Sequence, residues 1–131
     1  MVAGAEGLWP LLAADARVAA LNLKAAAAHY PSNDEDVPIK TGTPLLILTG
    51  EADDVTEAEG IRAMVSRAAS RMVTLHVYPN AHHGFDIASL AKPRTVRLLP
   101  RIGPSGTFGF DADASQRAAR EIETFLNTLL R

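Results

Sequence analysis

The sequence contains no cysteine, and aromatic residues make up only 5% of it. Without cysteine, a disulfide scaffold, a thiolate zinc site and a cysteine nucleophile are all excluded within this chain. The scarcity of aromatics predicts a core built from Ala, Leu, Val and Ile. No charge of one sign dominates, since the formal net charge is −2. Electrostatics therefore give no reason to expect nucleic acid or an anionic membrane as a partner.

Long apolar runs are absent as well. No stretch approaches the roughly 20 apolar residues that span a bilayer, and the N-terminus lacks the basic region of a signal peptide. We therefore expect a soluble protein without a membrane partner, and the lack of cysteine suits a cytoplasmic location. With 131 residues, of which 47% are hydrophobic, the chain has room for one compact domain.

Two segments predict β-strands. Residues 44–49 form a continuous apolar run, which is typical of a strand buried on both faces in a parallel sheet. Residues 72–78 are rich in β-branched and aromatic residues, which favour a strand. Between them, Thr56 and Glu59 match the capping-box pattern T-x-x-E, which predicts the start of a helix. The inward stripe of that helix would be formed by Ile61, Met64, Val65 and Ala68.

Other segments complete an α/β pattern. Asp113 and Gln116 predict the cap of a last helix whose apolar stripe is Ile122, Phe125, Leu126 and Leu129. Residues 8–21 predict an N-terminal helix. Residues 24–30 stay open between helix and short strand, because their alanines favour helix. Residues 84–111 show no periodicity and predict a long loop. Strand, helix, strand and helix in series indicate an α/β fold with right-handed crossovers.

Two loops directly follow the two predicted strands and hold the residues that could carry chemistry. The first contains Asp53 and Asp54, and the second contains His82 and His83. Ligands bind at the carboxyl ends of strands in open α/β sheets, so we expect these loops to form a site. An acid followed by a histidine is also the order in which an α/β-hydrolase triad continues after its nucleophile. The carboxylate fixes the imidazole tautomer, and the imidazole moves the proton of the nucleophile.

The stretches P-L-L-I-L-T-G-E-A-D-D-V-T and V-T-L-H-V-Y-P-N-A-H-H-G-F-D resemble the C-terminal half of the dienelactone hydrolase family. The resemblance covers roughly residues 24–130. It implies Asp53 as the triad acid, His83 as the base, and hydrolysis of an ester or lactone through an acyl-enzyme, without cofactor or metal. It also implies one partial α/β-hydrolase domain over residues 1–131, with about three parallel strands flanked by helices.

The nucleophile that the resemblance calls for is missing. In the family a Cys or Ser lies on a G-x-[CS]-x-G elbow upstream of the strand that corresponds to residues 24–30, and Met1 comes too late for that elbow. Ser105 follows the histidine, and its surroundings lack the last glycine of the pattern. The loop that forms the oxyanion hole is missing too. Three hypotheses remain: a truncated hydrolase, a split enzyme completed by an N-terminal chain, and a non-catalytic interaction module.

Several alternatives stay open at the site. Asp54 competes with Asp53 for the role of the acid, and His82 is expected to be a wall or surface residue. A metal site of His82, His83 and Asp86 is disfavoured, because these residues lack a helical register. His29 and His76 are expected to be structural.

We also form expectations about the surface. The basic run between residues 92 and 101 is interpreted as a solvated loop. Residues 24–30 would lack their outer strand, and the apolar run from Leu45 to Leu48 would lose part of its cover. An open edge favours association, so we expect a homo-oligomer or an N-terminal partner chain, with a small ester or lactone as substrate once the site is completed.

Overall fold

The computed structural model describes residues 2–3, 22–32, 39, 41–68, 71–98, 103 and 105–130. The predicted N-terminal helix over residues 8–21 lies outside these residues. A parallel sheet is formed by four strands that lie side by side in chain order: β1 (Val2–Ala3), β2 (Ala26–His29), β3 (Leu45–Gly50) and β4 (Val73–Tyr78). The two strands with the clearest sequence signals are therefore confirmed, each within one residue of its predicted start.

Helices cover both faces of this sheet. α1 (Ala58–Ser66) connects β3 to β4, and α2 (Ala112–Leu129) ends the described chain. Leu45 and Ile47 of β3 pack with α1, whereas Leu46 and Leu48 pack with α2. A strand whose successive side chains face opposite helices must be apolar throughout, which is why the run shows no alternation. The predicted α/β fold is confirmed.

The alanine-rich segment that the sequence left open is a strand. Ala26, Ala27 and Ala28 are at most 1% exposed, and β2 pairs in parallel with all of its length against β3. Helix propensity is a weak preference, and pairing between two strands overrides it here. The alanine side chains of β2 contribute to the apolar clusters on both faces of the sheet.

We expected the outer edge of β2 to be open, and this is wrong for two of its residues. Val2 pairs with Ala27 and Ala3 with Ala28, so the two-residue β1 adds a very short fourth strand to the three main parallel strands that we predicted. The apolar run from Leu45 to Leu48 does not lose its cover, because each of its side chains is at most 1% exposed.

Residues 84–111 are not the structureless loop that we predicted. They contain a short 3₁₀ helix (Ala88–Leu90) and the strands β5 (Arg94–Arg97) and β6 (Ser105–Phe108), which pair as an antiparallel hairpin. Glycines and prolines interrupt the hydrophobic pattern here, and the hairpin is fixed by contacts with distant loops. All four residues of β5 are exposed, as expected for a solvated basic segment.

Both helices begin differently from the predictions. The residue before α1 is Glu57, without a side-chain cap, because the Thr56 hydroxyl binds Asp53 instead. α2 is capped by Asp111, which accepts a hydrogen bond from the backbone N–H of Ala114, two residues earlier than predicted.

The inward stripes of the helices agree with the sequence pattern in part. Ile61 and Met64 of α1 are buried, and Val65 and Ala68 pack against them. Ile122 and Phe125 of α2 pack on the sheet, but Leu129 is 38% exposed at the end of the helix. Among the described helices, none is long and apolar enough to cross a membrane.

Candidate active site

The loops after β3 and β4 are pressed together at the carboxyl edge of the sheet. The backbone N–H groups of Glu51 and Ala52 donate to the carbonyls of Tyr78 and Ala81, at 2.9 and 3.0 Å. A Cβ at Gly50 would lie only 2.0 Å from the Ala81 carbonyl oxygen. Only glycine allows this approach, and the approach brings the acidic loop against the histidine loop.

Asp53 and His83 meet where these loops touch. His83 Nδ1 lies 2.9 Å from Asp53 Oδ2, and the side chains are 11% and 0% exposed. An ionised carboxylate can only accept hydrogen bonds, so Nδ1 carries the proton and Nε2 holds the lone pair. This is the tautomer that a general base needs in order to take a proton through Nε2.

The Asp53 carboxylate is held by further hydrogen bonds. Its Oδ1 accepts the backbone N–H groups of Val55 and Thr56, at 2.9 and 2.8 Å. Its Oδ2 accepts the Thr56 hydroxyl at 3.1 Å in addition to His83. These hydrogen bonds replace the hydration that the carboxylate loses on burial.

Thr56 belongs to this site by its contacts, and the sequence reasoning missed it. Its hydroxyl reaches Asp53 and lies 3.4 Å from His83 Nδ1, and the residue is only 6% exposed. The capping-box pattern with Glu59 obscured this role. The spacing D-x-x-T was the available signal, since an aspartate side chain readily accepts hydrogen bonds from groups two or three residues later.

Aromatic rings contact the His83 imidazole. The Tyr30 ring centroid lies 4.3 Å away and the Phe108 centroid 5.0 Å away, in tilted and edge-on arrangements. Tyr30 directly follows β2 with φ of 34°, a left-handed conformation, and its carbonyl oxygen lies 3.4 Å from the Thr56 hydroxyl oxygen. These contacts come from the end of β2 and from the hairpin, so together with the Asp53 loop three separate segments restrict the imidazole.

The other acid and the other histidine of the two loops have different partners. The Asp54 carboxylate accepts the backbone N–H and the hydroxyl of Thr107, at 2.7 and 3.0 Å. His82 Nδ1 lies 3.0 Å from the Ala52 carbonyl, to which it donates. The structure therefore pairs His83 with Asp53 and directs Asp54 toward the hairpin.

A second histidine and carboxylate lie beside this pair. Asp86 Oδ2 is 3.1 Å from His29 Nδ1, and Asp86 Oδ1 accepts the Tyr30 hydroxyl at 3.0 Å. Burial lowers the pKa of His29, an effect that Asp86 partly opposes, and burial together with Asp86 raises the pKa of Tyr30. His29 Nε2 is buried without a hydrogen-bond partner, as expected for the lone pair of a neutral imidazole.

The described residues form no group of three histidines or carboxylates that could hold a metal. Asp86 is engaged by His29 and Tyr30, and His83 faces Asp53 through Nδ1. His76, which we expected to be structural, lies 3.0 Å from the Glu121 carboxylate and so links β4 to α2.

The sequence of the chain was compared with protein families, and the result agrees with the fold and with the two loops. The dienelactone hydrolase family matches residues 12–130. The chain belongs to the dienelactone hydrolase family. The match extends twelve residues further toward the N-terminus than the resemblance that the motifs carried. No curated protein matches the chain at a significant level. Membership in the dienelactone hydrolase family points to hydrolysis of ester or lactone bonds as the class of activity.

Proposed function

We propose that this chain supplies the acid and the base of a dienelactone-hydrolase-type ester or lactone hydrolase and is catalytically incomplete by itself. Asp53 is the acid and His83 the base. The observation that carries the proposal is the 2.9 Å contact between His83 Nδ1 and a fully buried Asp53 carboxylate. Four donors orient this buried carboxylate, and one of them is the His83 imidazole, as in a catalytic triad.

The reaction follows from the tautomer of His83. Nε2 takes the proton from a serine or cysteine nucleophile, which attacks the ester or lactone carbonyl. Asp53 stabilises the imidazolium that forms, and His83 then gives the proton to the leaving alcohol oxygen. Water, activated by the same imidazole, hydrolyses the acyl-enzyme and restores the nucleophile.

The proposed lack of a nucleophile rests on the sequence around β1. Because β1 is parallel to β2, it ends at the same edge of the sheet as the loops of Asp53 and His83. The sequence after β1 reads Gly4-Ala5-Glu6-Gly7, and no Ser, Thr or Cys occurs before Ser32. Residues 4–21 lie outside the described part of the structure.

The proposal therefore includes a partner. A separate N-terminal chain would supply the hydroxyl or thiol and the donors of the oxyanion hole, and the substrate would be a small ester or lactone bound between the two. Imidazole as a general base contributes about 10²–10⁴-fold, so this chain alone retains at most that part of the acceleration.

The experiment supplies the missing nucleophile from solution. Acyl transfer from p-nitrophenyl acetate to added 2-mercaptoethanol is measured with the wild-type chain and with the variants His83→Gln and Asp53→Asn. We expect the thiol-dependent rate to fall about tenfold or more in both variants, because each removes general-base assistance. His82→Gln is the matched control, since the neighbouring imidazole donates only to a backbone carbonyl, and it should keep the wild-type rate.

Two outcomes contradict the proposal. Equal rates in His83→Gln and His82→Gln would show that the pair does not act as acid and base. A stoichiometric burst of p-nitrophenol without thiol, abolished by substitution of one serine or threonine of this chain, would show that the chain contains its own nucleophile.

A further inference from the structure

We infer that the β5–β6 hairpin is a clamp that positions His83, and that Asp54 is the residue that fastens it. This inference deepens the proposed function, on which the catalytic meaning of the His83 position rests. Neither the family assignment nor the acid–base pair requires a role for Asp54, which lies exposed on the acidic loop.

The first attachment joins the hairpin to the loop of the acid. Asp54 accepts two hydrogen bonds from Thr107, one from the backbone N–H and one from the hydroxyl. Next to them, a Cβ at Gly106 would lie 2.4 Å from Val55 Cγ2, so the hairpin backbone rests directly on this loop. A carboxylate that accepts two donors from one residue fixes both the distance and the orientation of that residue.

The second attachment joins the hairpin to the loop of the base. Phe108, the residue after Thr107, forms an isolated β-bridge with His83 and places its ring edge-on to the imidazole at 5.0 Å. The backbone N–H of Gly109 donates to the His83 carbonyl at 3.1 Å. The hairpin therefore contacts His83 through both its backbone and its side chain.

The two attachments lie on adjacent residues of one strand. A movement that breaks the Asp54–Thr107 bonds therefore also shifts Phe108, whose ring contacts the His83 imidazole. Asp53 fixes Nδ1 of His83, whereas Phe108 restricts the plane of its ring, and a general base needs both to be set. Asp54 accordingly acts on His83 through the hairpin and is a positioning residue.

The experiment measures the hairpin and the imidazole separately, without turnover. Amide hydrogen exchange of Thr107 and Gly109 reports the clamp, and ¹⁵N NMR of His83 reports its tautomer. The variants are Asp54→Ala, which removes both acceptors, Asp54→Asn, which keeps one acceptor oxygen, and Thr107→Val, which removes only the hydroxyl. Asp113→Ala is the control, because Asp113 is an exposed carboxylate of α2 whose ion-pair partner is Arg117 of the same helix.

In Asp54→Ala we expect both amides to exchange about tenfold faster, because Thr107 loses its charged acceptor and the released hairpin weakens the bond from Gly109 to the His83 carbonyl. The His83 signals should move from a single Nδ1–H tautomer toward a mixture of tautomers. Asp54→Asn should restore both readouts in part, Thr107→Val should give a smaller change, and the control should match the wild type.

The inference is overturned if the amides exchange faster while the His83 signals stay unchanged, since the hairpin would then not position the base. It is also overturned if His83 changes while both amides stay protected, which would indicate a direct charge effect of Asp54. If Asp54→Ala fails to fold, the same criteria apply to Thr107→Val. Phe108→Leu removes the ring and keeps the Asp54 bonds, so it should change the His83 signals while both amides stay protected, and unchanged His83 signals in this variant would also overturn the inference. Failure of the acyl-transfer assay would leave these readouts untouched, so the two proposals can fail separately.

Discussion

At the scale of single residues, Asp53 performs two tasks with its two oxygens. Oδ1 accepts backbone N–H groups of the turn that leads into α1, and Oδ2 faces His83 and Thr56. The turn therefore orients the carboxylate, and the carboxylate stabilises the turn. The sequence could reveal Asp53 and His83, because their loops carry recognisable motifs. It could not reveal the second use of Thr56, since that depends on the burial of the aspartate.

The first prediction concerns the Thr56 hydroxyl. Thr56→Val keeps the shape of the side chain but leaves the buried Asp53 carboxylate without one of its donors. We expect a loss of about 2 kcal/mol in the free energy of unfolding, because a hydrogen bond to a buried charge is removed. Thr56→Ser should retain most of the stability. Thr128→Val, at an exposed hydroxyl of α2, is the control and should change stability by less than about 0.5 kcal/mol. Urea denaturation measures all three, and equal effects of Thr56→Val and Thr128→Val would contradict the prediction.

The second prediction concerns pH and His29. Burial lowers the pKa of His29, so the folded chain holds this imidazole neutral more firmly than the unfolded chain does. As the pH falls below about 6.5, the unfolded state takes up the proton first, and the stability of the fold decreases. His29→Gln should flatten this slope between about pH 6.5 and pH 5. Asp86→Asn should steepen it, because Asp86 raises the pKa of His29.

The measurement for this second prediction is the urea midpoint as a function of pH, and only the slopes are compared, because each variant also loses a hydrogen bond. Parallel slopes in the wild type and His29→Gln would show that a different group causes the acid sensitivity.

At the scale of elements, the sequence could predict the strands whose own residues carry a strong pattern, but not the strands that are fixed by contacts with distant residues. β3 and β4 carry their own apolar and β-branched patterns, so both were predictable. The alanines of β2 carry a helical preference that pairing with β3 overrides. β5 and β6 have weak patterns, and the hairpin is held by Asp54 and by the His83 loop, which lie far away in sequence. Elements fixed by tertiary contacts stay hidden to a local pattern.

The third prediction tests the close approach between the acidic loop and the histidine loop. Gly50→Ala would place a methyl group 2.0 Å from the Ala81 carbonyl oxygen, so one of the two loops must move. We expect a loss of about 3 kcal/mol or more, together with weaker pairing of Asp53 and His83. Gly42→Ala is the matched control, because nothing lies within 4 Å of its added methyl group. Thermal unfolding and His83 NMR measure both effects. A Gly50→Ala variant as stable as Gly42→Ala would contradict the geometry of this edge.

At the scale of the whole molecule, the sheet ends very differently on its two sides. On one side, β4 is a six-residue strand that packs against α1 and α2. On the other side, β1 pairs with only two of the four residues of β2. A short outer strand is one way in which proteins limit edge-to-edge association. This protection is weak here, because loss of the two residues of β1 would expose β2 along its entire outer side.

The last prediction follows from that edge. Within the described part of the chain, Ala26 and His29 of β2 have no partner residue in β1, so unpaired strand positions flank the two that β1 covers. We expect the purified chain to self-associate, or to form a defined complex with an N-terminal partner. Light scattering after size exclusion should therefore give a mass above the 13.9 kDa of one chain. Removal of residues 1–3 should increase the association at equal concentration, because it exposes the remaining outer positions of β2. A dilution series separates specific association from aggregation, since a defined dimer dissociates reversibly. A sharp monomer peak with a cooperative thermal transition, retained after removal of residues 1–3, would show that β1 is not what protects the sheet.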